Sequence, residues 1–209
     1  MLEAYQNLLP FRLGFAAVFF LTLGVRDWIK HPENPTRVNE YLFLIVAMFL
    51  SVGYAVIHDH ITCTISADYF LHAKGLANQR QPFRIAVTLL AIKATYGPGL
   101  LSGALLLIAN NPSEKYAQLS YRHLLGICVY PVWGALCFAF FGGVLAASLG
   151  GRTWLADTAA AYAPAAHRTA FLAVAGIHVG SYLGATCGTV WAIVTVIRRR
   201  KSGTQEATS

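Results

Sequence analysis

Long apolar stretches separated by short polar stretches make up most of the 209-residue chain. A helix that crosses a membrane needs about 20 consecutive, mostly apolar residues to span a hydrocarbon core about 30 Å thick. The pattern predicts five such spans, over residues 8–25, 41–57, 83–109, 124–149 and 169–197. Pro10 and Arg12 interrupt the first, so the chain has four spans if that segment does not cross. We therefore expect an all-α, polytopic integral membrane helix bundle.

The composition agrees with this fold class. Hydrophobic residues make up 56% of the chain and charged residues only 12%, whereas soluble domains carry about 25% charged residues. No stretch is long and polar enough for a separate soluble domain. We expect a single transmembrane domain over residues 1–201 and a disordered cytoplasmic tail over 202–209. The four cysteines lack C-x-x-C spacing, so they predict neither a paired-cysteine metal site nor a redox pair.

The net charge of +7 has a local explanation. Four of the sixteen basic residues, Arg198 to Lys201, follow the last apolar stretch directly. A basic cluster there favours a cytoplasmic C-terminus and contact with anionic lipid headgroups. The bilayer is therefore the expected partner, and nucleic acid is not. With the C-terminus inside, the segment from His58 to Pro82 is extracytoplasmic whether the chain crosses four or five times.

A polar motif follows the second apolar stretch. His58, Asp59 and His60 are consecutive, and Asp68 comes shortly after them. These four side chains are potential metal ligands or proton carriers beside an apolar core. We expect the three consecutive residues to end the second span at the outer surface. The simpler alternative is that the motif only caps helix ends at the membrane interface.

The residues after the motif suggest two short elements. Polar and apolar residues alternate from Ile61 to Ser66, a period of two that predicts an extended segment. Ser66 is a favourable N-cap, and Asp68 in the first turn favours the helix dipole. A short interfacial helix is therefore expected from Ala67 to about Lys74, ended by Gly75.

The motif also resembles a known family. The residues that carry the resemblance are Tyr54, His58, Asp59, Ile61, Thr62, Ile65, Ser66, Tyr69 and Phe70. They resemble the pattern Y-[GA]-x-x-H-D-Q-[IV]-[ST]-x-x-[VI]-S-P-E-Y-F of an uncharacterised family of small bacterial inner-membrane proteins. The chain departs from the pattern at His60, Ala67 and Asp68, where the family has Gln, Pro and Glu.

A second part of the resemblance lies near the C-terminus. His178, Ser181, Tyr182 and Gly184 are similar to the family's H-x-x-S-Y-x-G helix. The resemblance implies a bacterial inner-membrane location, a shared fold and two coupled sites, but no reaction. We know of no activity for the family.

The fifth span carries a glycine stripe. Its members recur every four residues and are Gly176, Gly180, Gly184 and Gly188. Such a stripe lets another helix approach closely. It predicts a helix-packing face within the bundle, or one that binds a second copy or another membrane protein.

Two polar residues lie deep in apolar spans and complete the candidate site. Lys93 and His178 sit at about the same depth, roughly 14–15 Å from the outer helix ends at 1.5 Å per residue. We expect His178 to join His58, Asp59 and Asp68, with or without His60, in a metal or proton site. Tyr182, Ser181 and Lys93 would lie around it, and Tyr182 would orient His178. The alternative leaves His178 satisfied within its own helix.

Three functions remain open from the sequence. The first is a membrane protein with an extracytoplasmic-side site for a divalent metal ion or a proton. The second is a small transporter or permease whose path uses Lys93 and His178. The third is a non-catalytic accessory subunit that packs through the glycine stripe. No hydrolase, zincin or phosphate-loop motif occurs, so the sequence makes no prediction of an enzyme.

Overall fold

The computed structural model describes the backbone of residues 9–32, 36–113, 115–152 and 155–208, and side chains from Val18 to Ser202 within those ranges, except that of Thr36. Helices make up most of this part of the chain, and it contains no strand. The α-helices are α1 (Leu9–Lys30), α2 (Thr36–Ile65), α3 (Phe83–Ala109), α4 (Tyr121–Ile127), α5 (Tyr130–Leu149), α6 (Leu155–Tyr162) and α7 (Arg168–Thr208).

In the part of the chain that the structure describes, four helical segments are long and apolar enough to cross a membrane. They are Arg37–Ile65, Phe83–Ala109, Tyr121–Arg152 and Ala165–Ser202. Helices satisfy their own backbone hydrogen bonds, which hydrocarbon requires. The all-α class is therefore confirmed for the described residues, and four helices of this length and hydropathy support a multi-pass membrane protein. A fifth crossing through residues 8–25 stays a prediction, because many side chains of that segment lie outside the described residues.

The chain divides into two compact units, one up to Val46 and one from Ala47 onward. In the first unit, the carboxylate of Asp27 accepts a hydrogen bond from the backbone N–H of Arg37 at 2.9 Å, at the start of α2. The rings of Phe20 and Tyr41 pack with centroids 5.4 Å apart. These contacts join α1 to the beginning of α2.

In the second unit, α7 packs against several helices, among them α2, α3 and α5. Its Thr189 hydroxyl lies 3.1 Å from that of Ser102 on α3, and its Ser181 hydroxyl lies 2.8 Å from that of Tyr54 on α2. The glycine stripe faces α5: a Cβ atom at Gly184 would overlap the carbonyl oxygen of Gly134. The predicted packing face is thus used within the chain. A role for the stripe in binding a second copy or another protein stays a prediction, as does the domain division at residue 201, although the backbone is helical as far as Thr208.

α2 corrects two expectations about the polar motif. It continues without interruption to Ile65, so His58 to His60 lie inside the helix, and the predicted extended segment is wrong. The hydroxyl groups of the alternating threonines form hydrogen bonds to carbonyl groups of their own helix. The hydroxyl of Thr62 donates to the carbonyl of His58 at 2.9 Å, and that of Thr64 donates to the carbonyl of Ile61.

A short π-helix, Tyr69–Ala73, follows α2 and is called the capping turn below. The Ser66 hydroxyl accepts a hydrogen bond from the Tyr69 backbone at 3.4 Å, as expected for an N-cap residue. The turn ends before Gly75, whose φ of 71° suits glycine. Phe70 is fully buried against α3 and α7 residues. A short helix is therefore present where it was predicted, and its interfacial location stays a prediction.

Arg200 holds together the opposite end of the bundle. Its guanidinium donates hydrogen bonds to the carbonyl oxygens of Ala109, Asn111, Tyr116 and Ala117, at 2.6–3.1 Å. These residues lie at the end of α3 and in the loop that follows it. One member of the basic cluster is therefore buried and structural, because carbonyl groups at a helix C-terminus lack partners within the helix.

Candidate metal site between two helices

The sides of α2 and α7 that face each other bring three ionisable side chains together. Asp59 Oδ1 lies 2.9 Å from His58 Nδ1 and 3.9 Å from His178 Nε2. One ligand atom from each residue lies within 4.8 Å of the others. Asp59 and His178 are 7% and 4% exposed. We call these three residues the His–Asp cluster. The predicted convergence of the motif with His178 is confirmed, through the continuation of α2 and not through a segment that folds back.

Hydrogen bonds fix the orientation of the His58 ring on both sides. Its Nδ1–H donates to the carboxylate of Asp59, and its Nε2 lies 3.0 Å from the hydroxyl of Ser181. That hydroxyl is also 2.8 Å from the hydroxyl of Tyr54. The Asp59 acceptor selects the Nδ1–H tautomer, so the Ser181 O–H donates to Nε2 and the Tyr54 O–H donates to Ser181. The four groups form a continuous chain of hydrogen bonds.

His178 is held by a hydroxyl and by aromatic rings. Its Nε2 lies 3.4 Å from the Thr62 hydroxyl. The Tyr69 ring stacks on the imidazole at 4.9 Å and the Phe70 ring contacts it edge-on at 5.5 Å. His58 approaches it edge-on at 4.8 Å. The capping turn therefore covers the cluster from the C-terminal end of α2 and keeps His178 out of water.

A lysine that sequence reasoning missed lies near this cover. Lys74 Nζ is 5.4 Å from the centre of the Tyr69 ring and 6.0 Å from that of Tyr182. Burial lowers the pKa of Lys74, and the negative charge of Asp59 opposes this by raising it. Burial raises the pKa of Tyr69, as does the Asp59 charge. An ammonium group therefore lies within electrostatic reach of the cluster.

The cluster suits a divalent metal ion. A Zn²⁺ ion lies about 2.0–2.2 Å from imidazole nitrogen and carboxylate oxygen, so two ligands of one ion are at most about 4 Å apart. The two separations that include Asp59, 2.9 and 3.9 Å, lie within this limit, and the two imidazoles, within 4.8 Å, would have to move slightly closer to bind one ion. Metal-binding histidines also use their second ring nitrogen in a hydrogen bond, as His58 does with Ser181. A metal at Nδ1 would move the ring proton to Nε2, which would then donate to the Ser181 oxygen.

Ser181, His58 and Asp59 are also bonded in the order of a hydrolytic triad. Such a serine needs free N–H donors beside it to stabilise an oxyanion. Ser181 lies in the middle of α7, where backbone N–H groups are bonded along the helix. The Tyr54 hydroxyl is also hydrogen-bonded to the Ser181 oxygen, which would have to act as the nucleophile. The arrangement therefore supports binding and proton transfer better than acyl transfer.

The remaining predicted residues lie elsewhere. His60 Nε2 is 2.9 Å from the Thr88 hydroxyl on α3, and Asp68 accepts a hydrogen bond from His167 at 2.9 Å. Tyr182 is 52% exposed and makes no hydrogen bond to His178 among the described residues. Lys93 makes no hydrogen bond or ion pair with the cluster in the described part of the chain. None of these four residues is hydrogen-bonded to the cluster in the described part of the chain, although Tyr182 lines the same cavity as its three members.

Tyr54 and Thr62 were missed as site residues, although one signal could have found them. They lie four residues before and after His58, so they share its side of a continuous helix. The extended segment predicted from Ile61 to Ser66 placed Thr62 outside the helix that carries His58, so this relation was not recognised. Compared with known proteins, the chain matches no family model, no curated protein and no solved structure. The family resemblance of the motif stays a prediction, and function must be argued from the site.

Proposed function

We propose that this multi-pass membrane protein binds one divalent transition-metal ion at His58, Asp59 and His178. The observation that carries the proposal is the convergence of two imidazoles and one carboxylate inside an apolar bundle. Buried ionisable groups in membrane proteins are costly and mark functional sites. Two nitrogens and one oxygen suit Zn²⁺, Mn²⁺ or Fe²⁺.

The surroundings of the cluster support a bound ion. The hydrogen bonds from Ser181 and Tyr54 hold one imidazole, and the Thr62 hydroxyl lies against the other. A cavity of about 120 Å³ adjoins all three cluster residues. It leaves room beside the three ligands for a further ligand such as water, as in metal sites that act on substrates.

We further propose that the site opens toward the extracytoplasmic side of a bacterial inner membrane. The support is the basic cluster after the last span, which favours a cytoplasmic C-terminus. Arg200 contacts the loop after α3 at one end of the bundle. Asp68 and His167 pair at the other end, near the capping turn. The His–Asp cluster lies closer to the second end.

Metal analysis of the purified protein tests this function. The protein in detergent is stripped with a chelator, equilibrated with Zn²⁺, Mn²⁺ or anaerobic Fe²⁺, desalted and measured by elemental mass spectrometry. The expected result is one ion per chain for the parent and loss of that ion in His178→Ala. His60→Ala is the control, because it removes a histidine of α2, two residues from His58, that bonds Thr88 and not the cluster. Equal loss in both variants, or no ion in the parent, contradicts the proposal.

Proton transfer is a second candidate, and the hydrogen-bond chain from Tyr54 through Ser181 and His58 to Asp59 favours it. A chain of this kind can pass a proton between its ends. The transporter path through Lys93 has less support, because Lys93 does not reach the cluster. A parent protein without metal, in which Tyr54→Phe still alters proton uptake by reconstituted vesicles, would favour this candidate over the metal site.

A further inference from the structure

A large apolar groove adjoins the His–Asp cluster. It has a volume of about 940 Å³ and lies between one face of α2, from Phe49 to Ile65, and one face of α5, from Val132 to Ala147, with Val129 before α5 and Ala173 and Ile177 of α7 also in its wall. This volume is in the range of about 300–1,000 Å³ that is usual for small-molecule sites. Most of its lining is aliphatic or aromatic, and its polar side chains are Tyr54, His58 and Thr62.

The groove and the polar cavity share a wall. Tyr54 and His58 line both of them. A molecule in the groove would therefore place a polar group against the cluster part-way along the groove, while the rest contacted hydrocarbon side chains. Ile57 and Phe140, on opposite walls, are 65% and 67% exposed, so the groove opens sideways to the lipid phase.

The length of the groove fits an acyl chain. The α2 wall from Phe49 to Ile65 extends for about 24 Å at 1.5 Å per residue, and its part from Phe49 to His58 extends for about 14 Å. This part is about half the thickness of the hydrocarbon core, about 30 Å, which suits one acyl chain of a single leaflet. A long apolar channel gives a water-soluble substrate no favourable contact, whereas an acyl chain can enter it from the bilayer without crossing water and pack against its hydrocarbon side chains.

The depth of the cluster indicates which part of a lipid meets it. The apolar segment Arg37–Ile65 has 29 residues, about 43 Å of helix, which matches a bilayer including its headgroups. His58 lies seven residues before Ile65, about 10 Å below the helix end. The headgroup layer is about 6 Å thick on each side. The cluster is therefore just inside the hydrocarbon boundary, at the level of acyl carbonyl groups.

We propose that the groove binds an acyl lipid whose chain lies between α2 and α5 and whose carbonyl or carboxyl oxygen faces the ion of the His–Asp cluster. This inference rests on the proposed metal site and names the class of ligand for it. The shared chemistry is a fatty acyl group, whether it belongs to a free fatty acid or to a phospholipid.

Photocrosslinking tests the occupant. The full chain, in phosphatidylcholine nanodiscs, receives palmitic acid with a mid-chain diazirine in one arm and phosphatidylglycerol with the same acyl chain in the other. Irradiated protein is digested and the labelled peptides are mapped. In the parent, labelling should concentrate on the facing sides of α2 and α5, and the stronger arm identifies the source of the acyl group.

Two pairs of variants make the test specific. Gly53→Phe fills the groove, and a Cβ atom there meets no atom within 4 Å, so the helix tolerates the change. Gly126→Phe is its control, because that glycine has the same free space outside the groove. Leu136→Trp on the α5 wall and Leu101→Trp on α3 form a second pair of exposed leucines.

Groove labelling should fall to the level of other lipid-facing residues in Gly53→Phe and Leu136→Trp, and should not change in the two controls. Labelling spread evenly over all spans, or unaffected by both groove variants, overturns the inference. The metal content of the same samples is measured in parallel. A parent with metal but no groove labelling fails only the lipid inference, whereas a parent without metal refutes the metal site whatever the labelling.

Discussion

Asp59 of α2 faces His178 of α7, with 3.9 Å between Oδ1 and Nε2. Both are almost fully buried, and aromatic rings of the capping turn cover the histidine. Placing a carboxylate and an imidazole there costs solvation free energy, which hydrogen bonds or a metal ion must offset. In this structure His58 donates a hydrogen bond to Asp59, and the Thr62 hydroxyl lies against His178. The proposed ion would bind all three side chains of the cluster.

Ser181→Ala should weaken metal binding without abolishing it. The Ser181 hydroxyl does not touch the proposed ion but orients His58 through its second ring nitrogen. Loss of such a partner typically lowers metal affinity about 10- to 100-fold. The affinity is measured by competition with a chelating dye. Thr186→Ala is the control, because its hydroxyl bonds only the carbonyl of Tyr182 in its own helix. Equal affinities for both variants would show that Ser181 does not position the ligand.

Gly184→Leu should separate α7 from α5 and destabilise the bundle. A side chain there would overlap the backbone of Gly134, which cannot move away as a flexible side chain could. Overpacking of a close contact costs about 1–3 kcal/mol, so the apparent melting temperature in detergent should fall. Gly126→Leu, with no atom within 4 Å of the new Cβ, should melt like the parent. A stable Gly184→Leu would mean that α5 does not pack on this stripe.

The sequence predicted the spans well because their signal is local. The structure has α3 over Phe83–Ala109 and the start of α7 at Arg168. Both agree with the edges of the apolar stretches. The glycine stripe was equally visible, since small residues every four positions need no tertiary information. His178 was recognised as a site residue because a histidine in an apolar span is rare.

The errors have two physical causes. Threonine and cysteine side chains can hydrogen-bond to carbonyls of their own helix, so the alternation from Ile61 to Ser66 was compatible with α2 and gave no evidence of a strand. The second cause is that the sequence does not show which residues of different helices face each other. Depth alone suggested Lys93 as a neighbour of His178, but depth does not specify which face of α3 carries it. The Lys74 contacts likewise depend on how the capping turn folds.

Arg200→Lys should destabilise the end of the bundle opposite the cluster. A lysine has three donors on one atom and cannot reach carbonyls from Ala109 to Ala117 at the same time. Loss of several charge-assisted hydrogen bonds should lower the free energy of unfolding by about 2 kcal/mol or more. Unfolding in dodecyl sulfate measures this. Arg199→Lys changes an exposed neighbour and should have little effect. If Arg200→Lys and Arg199→Lys have similar stabilities, Arg200 acts only as one positive charge of the basic cluster and its hydrogen bonds do not stabilise the fold.

The predicted orientation can be tested with two cysteine variants. Asn78→Cys lies in the loop after the capping turn, and Lys115→Cys lies in the loop that Arg200 holds; both positions are exposed. In intact cells, an impermeant maleimide should label Asn78→Cys but label Lys115→Cys only after lysis, relative to the parent background. The opposite pattern would place the His–Asp cluster toward the cytoplasm.

Lys74 should give the stability a specific dependence on pH. Burial lowers its pKa below the ordinary value of 10.5 in the folded state. Between the folded-state pKa and 10.5, the unfolded chain therefore binds more protons, and the free energy of unfolding rises with pH. Below this window both states are protonated and the cost of burying the ammonium group is constant.

Lys74→Met removes the ionisable group, so the parent should gain stability relative to this variant as the pH approaches 10.5. The pKa of Tyr69 is raised, so its contribution to the free energy of unfolding falls only as the pH passes the ordinary tyrosine value of 10.0. It is present in both proteins and largely cancels in their difference. Apparent melting temperatures from pH 7.5 to 10.5 measure the effect, with the exposed Arg80→Met as the control. A parent-to-variant difference that stays constant across this range would show that the ammonium group remains solvated, away from Tyr69 and the cluster.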